Sequence, residues 1–397
     1  MKKGGFKYVK IVSAIMFWIV KDMLPFRSVE KEGFCHLMKT IVPNFEVPCR
    51  NTIKQWTEKK YESVVGTMRE KFKKVRFFTL TSDIWTESKN TKSFISLTAH
   101  FIDDGVIRAL PLGVEPLTER HEGSYITEVL DKILDFWTIS KDKIVAMMTD
   151  NGANMVNGAI GLVGRAKFIP CFAHTLQLVP EAIFKDEAVD ALIRKISRIV
   201  TLFKQSVVAA DELRNKQEGT PLKLIQCCET RWNSVYYMIE RFLLLLPFIN
   251  SIIINYAHID AITGAEVEML REMQQVLRHI AFITKEMSGE LYACGSRIIP
   301  SLRILRMHLG SLKLKTDFGK KVLDIALKNL DKRFSKVEEV RLLAIATILD
   351  PRFKTMHFVN STASTSALNR INFLMRELIS DAEKDQNQEG EATTKEK

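Results

Sequence analysis

Two aspartates stand where strand-like runs give out. Phe77-Phe78-Thr79-Leu80-Thr81-Ser82 leads into Asp83, followed by Ile84-Trp85-Thr86. Ile144-Val145-Ala146-Met147-Met148-Thr149 leads into Asp150, followed by Asn151-Gly152-Ala153-Asn154-Met155. Two carboxylates at the rim of one sheet can hold a hard divalent cation, Mg2+ or Mn2+. Such an ion neutralises phosphodiester oxygens while a nucleic-acid strand is cut or transferred. Asp83 and Asp150 are therefore the candidate catalytic and metal-ligating residues. A third acid usually completes such a site, and its presence or absence separates an enzyme from a relic of one.

Other residues could serve the same chemistry. Lys71, Lys73, Lys74 and Arg76 precede the first strand as a possible phosphate-contacting patch. They read equally well as a solvated helix end, where positive charge suits the macrodipole. Arg231 and Trp232 pair a phosphate clamp with a flat π surface for an unstacked base; the competing reading makes Trp232 a core anchor at a helix start. Asn151 and Asn154 are expected to cap the following helix. Asp103-Asp104-Gly105 reads as a hairpin turn, not a metal site.

The elements that must position these residues follow from periodicity. Residues 8–24 and 51–74 show helical spacing, the latter with Ile53, Trp56, Tyr61, Val64, Val65 and Met68 near one face. From Val75 the texture turns β-branched and aromatic. Strands are expected over 77–82, 93–102 and 106–114, forming an antiparallel meander. A helix over 125–137, capped by Ser124, precedes the strand 144–149. A helix from 152, a short strand at 167–171 and a helix over 173–184 follow. This switch from hairpins to strand–helix crossovers predicts an α/β fold, an RNase H-like mixed sheet. The expected domains are a basic helical region over 1–74, the core over 75–187, a helical insertion over 188–380 and a disordered polar tail over 381–397. Within the insertion, Pro247 is expected to interrupt the apolar segment 236–256.

Charge narrows the partners. The chain of 397 residues carries a net +11, of which residues 1–76 supply +10 through 17 Lys and Arg against 7 Asp and Glu. A basic arm ahead of a neutral body points to a polyanion, with nucleic acid favoured over membrane. The six cysteines, at 35, 49, 171, 227, 228 and 294, form no CxxC pair, so free thiols in a reducing compartment are expected. The apolar run over 11–20 is too short to span a bilayer and Lys21-Asp22 follows it; a soluble intracellular protein is the expectation.

Seven motifs in register give the string a family likeness. They are Asp22-Met23-Leu24-Pro25-Phe26 with Val29-Glu30 and Gly33-Phe34; Pro43-Asn44-Phe45-Glu46-Val47-Pro48-Cys49-Arg50; and Thr81-Ser82-Asp83-Ile84-Trp85-Thr86. They continue with Thr149-Asp150-Asn151-Gly152-Ala153-Asn154-Met155; Cys171-Phe172-Ala173-His174-Thr175-Leu176; Thr230-Arg231-Trp232-Asn233-Ser234; and Leu349-Asp350-Pro351-Arg352-Phe353. From about residue 8 to 360 the chain resembles hAT superfamily transposases, especially the host proteins derived from them that carry a BED zinc finger.

The resemblance implies an RNase H-like catalytic core interrupted by a helical insertion, with an acidic triad that binds divalent metal and cuts and rejoins DNA. Asp83 matches the first acid and Asp150 the second. It places His174 near the scissile phosphate as a third catalytic candidate, where a lone Cys171/His174 pair would otherwise stabilise a strand–helix turn. It gives Trp232 the task of stabilising a flipped base. Glu377 and Glu383 match no third-acid motif, no zinc site is identifiable in the first seventy residues, and the family's dimerisation segment is not recognised. The expectation is a transposase-derived nuclear protein, domesticated and catalytically incomplete, that binds DNA and engages chromatin proteins. The alternatives are an active metal-dependent DNA transposase and a protein-interaction scaffold with no DNA role.

Overall fold

Tyr8, Val12, Ile15 and Ile19 recur at helical spacing and form the buried face of the first helix, α1 (Phe6–Lys21). The structure, a computed structural model, describes residues 4–87, 91–228, 232–256, 259–288 and 295–394, with side chains described as far as residue 380. Helices α2 (Glu32–Ile41) and α3 (Arg50–Lys74) follow α1. Lys143 closes the C-terminal end of α3, its Nζ donating to the carbonyls of Phe72, Lys73 and Val75 at 3.4, 3.0 and 2.9 Å. A cation there satisfies orphan carbonyls and suits the helix dipole.

Three long strands come next: β1 (Phe78–Glu87), β2 (Lys92–Asp103) and β3 (Val106–Leu117). The β2–β3 hairpin turns at Asp104 and Gly105, whose φ values of 49° and 75° both lie in the left-handed region. Two-residue hairpins favour that geometry because it matches the strand twist. Then come α4 (Gly123–Trp137), β4 (Ile144–Thr149), α5 (Ala153–Val163), β5 (Phe168–Pro170) and α6 (Phe172–Phe184). The five strands form one sheet in the order β3-β2-β1-β4-β5, antiparallel between β2 and β3 and parallel between β4 and β5. This is the mixed sheet expected of an RNase H-like core.

The remainder is helical: α7 (Glu187–Gln205), α8 (Val207–Asn215), α9 (Trp232–Ile253), α10 (Gly264–Met287), α11 (Ile298–Ser311), α12 (Asp317–Phe334), α13 (Arg341–Leu349) and α14 (Ser361–Thr394). One expectation is corrected here. Pro247 lies inside α9 without ending it. An internal proline costs about 3 kcal/mol, whereas burying each of Phe242, Leu245, Leu246, Ile249 and Ile252 returns roughly 1.5–3 kcal/mol. Helix α14 runs to Thr394, and the stretch after Ser380 is rich in Ala, Glu, Lys and Gln, which favour helix.

Packing divides the chain into two units, one of Met1–Leu80, Thr86–Thr118 and Thr127–Val145, the other of Thr81–Trp85, Glu119–Ile126 and Ala146–Lys397. In the first, Phe72 packs edge-on against Phe78 and Phe101 with ring centroids 5.3 Å apart in each case. Trp137 Nε1 donates to the Leu112 carbonyl at 2.6 Å. In the second, fully buried Ile196, Phe242, Leu277, Leu305 and Leu330 belong to one apolar core. Among the described residues α9 is the helix long and apolar enough to cross a membrane, and half of its apolar window is buried, as suits a core helix.

Candidate nucleic-acid and metal site

Strand β1 changes character along its length. Phe78, Leu80 and Ser82 are buried, while Asp83 is exposed, as are Trp85, Thr86 and Glu87. Asp83 therefore does not end its strand, as the sequence predicts; it stands where the strand leaves the core, and the ladder continues for four more residues. Asp150 does stand immediately after β4. Because β1 and β4 are neighbours in the sheet, the two acids occupy adjoining strands within the second unit.

Each acid is seated by local backbone. Asp83 Oδ1 accepts from the N–H of Ile84 at 3.0 Å, and Asp150 Oδ1 accepts from the N–H of Gly152 at 3.0 Å. A β-carbon at Gly152 would come within 3.2 Å of that carboxylate oxygen, so glycine gives the carboxylate its close approach. The asparagines do not cap α5, contrary to expectation: no side chain does. Asn151 Nδ2 instead donates to Thr175 Oγ1 at 3.1 Å, tying the residue after Asp150 to the first turn of α6. That turn is joined to β4 again through the Cys171 N–H, which donates to the Thr149 carbonyl at 2.8 Å.

Cys171 and His174 share this first turn, and each shifts the other. Burial pushes the Cys171 thiol up, but hydrogen bonds from the His174 side chain and backbone outweigh it, so its pKa falls below the ordinary thiol value. The His174 imidazole is raised, first by its hydrogen bond to Cys171 and against the effect of burial, then by the charges of Cys171, Asp83 and Asp150. A cation on His174 is thus favoured by its hydrogen bond with Cys171 and by the carboxylates of Asp83 and Asp150. The two acids and His174 come together electrostatically, although ninety-one residues separate Asp83 from His174 in sequence.

As a metal site this set is partial. Two carboxylates are hard oxygen donors suited to Mg2+ or Mn2+, which bind through one or two carboxylates together with substrate phosphates. A closed cage is not formed: among the described residues no three His, Cys, Asp or Glu side chains are gathered to hold an ion. Glu377 is exposed on α14, and Glu383 lies beyond the described side chains.

The remaining candidates part company. Lys71 is ion-paired with Asp103, and Lys73 with Glu70 at 2.6 Å. Arg76 lies over the Phe77 ring at 5.6 Å, and Lys74 is exposed. Arg231 lies outside the described residues. Trp232 is 6% exposed in the helical core, which fits the core-anchor reading and leaves no open face for a base. The residue that sequence reasoning passed over is Trp85. It shares a strand face with Asp83 by the two-residue period and is 42% exposed; the alternation Asp83-Ile84-Trp85 would have disclosed it. Asp350 and Arg352 proved structural: the guanidinium donates to both carboxylate oxygens at 2.9 and 2.6 Å, holding the carboxyl well below its usual range, and Ser296 Oγ donates to the same group at 2.8 Å.

Comparison with known proteins follows the same geography. A family model described as the ZBED1 RNase-like domain matches residues 81–162, and one described as the ZBED1 RNase-like helical domain matches residues 169–283. Zinc finger BED domain-containing protein 4 of Homo sapiens is 26% identical over 377 residues, which cover 89% of this chain and 31% of that protein. The putative AC transposase of Zea mays is 26% identical over 379 residues, 88% of this chain and 46% of that protein. Zinc finger BED domain-containing protein 6 of Homo sapiens is 26% identical over 381 residues, 87% of this chain and 37% of that protein. The chain thus spans less than half the length of each of these relatives. The RNase-like and helical matches run in the order of the folded elements, and BED-type and transposase relatives align along most of the chain, so this protein is similar over most of its length to transposases and the BED-type proteins related to them.

Proposed function

We propose that this chain is a nuclear nucleic-acid-binding protein that grips phosphodiester strands and is catalytically incomplete. The observation that carries the reading is the meeting of Asp83, Asp150 and the positively inclined His174 on adjoining elements. Such a group is suited to phosphodiester contact, yet among the described residues no third acid joins Asp83 and Asp150 to hold a metal pair. Asp83 and Asp150 are the residues that would hold Mg2+ or Mn2+, whose chemistry is to neutralise phosphate oxygens. His174 would face a phosphate oxygen as a hydrogen-bond donor, and Trp85 offers an exposed ring for stacking. The basic residues before β1 add sequence-independent attraction, with Lys74 and Arg76 less engaged by acids than Lys71 and Lys73. Nuclear residence and chromatin-protein partners belong to the same proposal, supported by the kinship with BED-type proteins and transposases.

Salt titration of DNA binding tests it. Affinity should fall steeply with salt, and neutralising Lys74 and Arg76 should reduce the slope of log K against log salt by about one to two. DNA association that is undetectable at low salt would reject the proposal in favour of an interaction scaffold, for which α1 offers exposed Phe6, Phe17 and Val20. A second reading, an active metal-dependent transposase, is favoured by the retention of both acids beside His174. Nicking that needs Mg2+ or Mn2+ and vanishes in Asp150→Asn would establish it over the incomplete site.

A further inference from the structure

A small pocket of about 130 Å³ opens beside the acid site, within the second unit, between the start of α6 and the end of α12. Its walls are mostly apolar. Phe172 and Phe334 meet there with ring centroids 5.4 Å apart, and Val337 and Leu343 also line it. Set among these are three polar groups: the Thr175 hydroxyl, the Arg333 guanidinium and the Lys336 ammonium.

Arg333 is the informative one. Its Nη1 donates to Asn329 Oδ1 at 2.9 Å, while its Nε is buried and has no hydrogen-bond partner among the described residues. A buried donor left unpaired is costly, and native structures rarely leave one without a ligand or water to accept from it. Lys336 is exposed and enters no ion pair among those described. The acids closest in sequence are already engaged: Asp331 with Arg306 at 3.3 Å, and Glu338 with the N–H groups of Val359 and Asn360. Two cations at the end of α12 would suit the helix dipole without any ligand, but the dipole does not account for an orphaned, buried Nε.

We propose that this pocket is a phosphate subsite, with Arg333 and Lys336 taking the oxygens of a nucleic-acid phosphodiester that neighbours the one at the acid site. Apolar walls lower the local dielectric and strengthen the attraction between a guanidinium and a phosphate. The pocket adjoins the acids through Thr175, which follows His174 directly and is bonded to Asn151, the residue after Asp150. A strand engaged at Asp150 and His174 would therefore continue across the end of α12. The inference rests on the nucleic-acid reading above and adds to it a location and two residues.

The test uses the full chain and a short fluorescein-labelled DNA duplex, followed by anisotropy across a salt series. Lys336→Gln, an exposed change that leaves the fold intact, should weaken binding several-fold and lower the salt slope by about one. Arg333→Gln should weaken it further, and Lys328→Gln, removing the same charge two turns earlier on α12, should do neither. In parallel, inorganic phosphate should raise the melting temperature of the wild-type chain and not that of Lys336→Gln. If the wild type binds DNA and Lys336→Gln matches it in affinity and slope, the subsite is overturned while the nucleic-acid reading stands. If the wild type binds no DNA, the nucleic-acid reading fails and the subsite as a phosphodiester site falls with it; protection by inorganic phosphate alone would then mark a free-phosphate pocket.

Discussion

The helical region and the β1–β4 edge solve opposite problems with neighbouring stretches of one chain. From α7 to α13 the core is made almost wholly of apolar side chains. Its fully buried polar side chains find partners: Glu272, 2% exposed, accepts from the N–H of Thr316 at 3.2 Å, and Thr347 Oγ1 donates to the Leu343 carbonyl at 2.9 Å, whereas the buried Nε of Arg333 and Oδ1 of Asn233 have no partner among the described residues. At the β1–β4 edge, burial stops within a single strand so that Asp83 can face outward, and the first turn of α6 carries a thiol and an imidazole that alter each other's proton affinity. One region gains stability from burial. The other holds charge at a rim, where neighbouring β1, β4 and α6 must keep it in place.

The largest expected effect tests the first half of that contrast. Phe242→Ala removes a fully buried ring from the helical core and should cost about 3–5 kcal/mol in urea unfolding. A loss under 1 kcal/mol would mean that this region does not depend on close packing.

The contrast sharpens near the rim at Gly158, on α5. A β-carbon there would lie 2.4 Å from Ile126 Cγ2 and 2.8 Å from Ile126 Cβ, and Ile126 is fully buried. Overpacking costs about 1–3 kcal/mol, and the helix-propensity gain of alanine over glycine returns at most about 1 kcal/mol. The clash should win, so Gly158→Ala lowers the unfolding midpoint by a net cost of up to about 2 kcal/mol. An unchanged midpoint would show that α4 and α5 are loosely joined.

The smallest effect concerns a titratable pair at the surface of the helical region, where His279 is half-buried and His308 exposed. His279 on α10 and His308 on α11 stack with ring centroids 4.7 Å apart and planes 6° from parallel. Burial lowers the His279 pKa below its ordinary 6.5, and the charges of His308 and Arg278 lower it further. The unfolded chain therefore takes up the proton first. The stability that goes with a neutral His279 is complete above pH 6.5 and is lost as the pH falls through the folded-state value. Urea midpoints of the wild type should drop between neutral and mildly acid pH, and His279→Gln should flatten that drop. An equal drop in both proteins would assign it to other groups.

Much of the fold was legible because periodicity is local. The strand 144–149 and the helices over 51–74, 125–137 and 173–184 lie within a few residues of the elements formed. The site was legible only in part. Asp83 and Asp150 declared themselves, but the sequence placed Asp83 at a strand end, since the continuation through Glu87 buries no side chain in the core and the alternation Asp83-Ile84-Trp85 is short. Asn151 looked like a helix cap because capping propensity is a property of residue type, whereas its tie to Thr175 depends on where α6 lands. Trp232 offered the same residue type as a stacking platform or as a core anchor, and only its burial among α9 neighbours separates them.

The sequence by itself determined the order of elements, the two acids, the basic opening stretch and the family likeness, because each is written in consecutive residues or in fixed spacings. Tertiary structure decided that β4 pairs beside β1, that His174 feels both acids, and that Thr175, Arg333 and Lys336 line one pocket. Thr175 is more than a hundred and fifty residues from Arg333 and Lys336, and Asp83 is sixty-seven from Asp150. Their convergence is a consequence of strand order and helix packing, which no local pattern encodes.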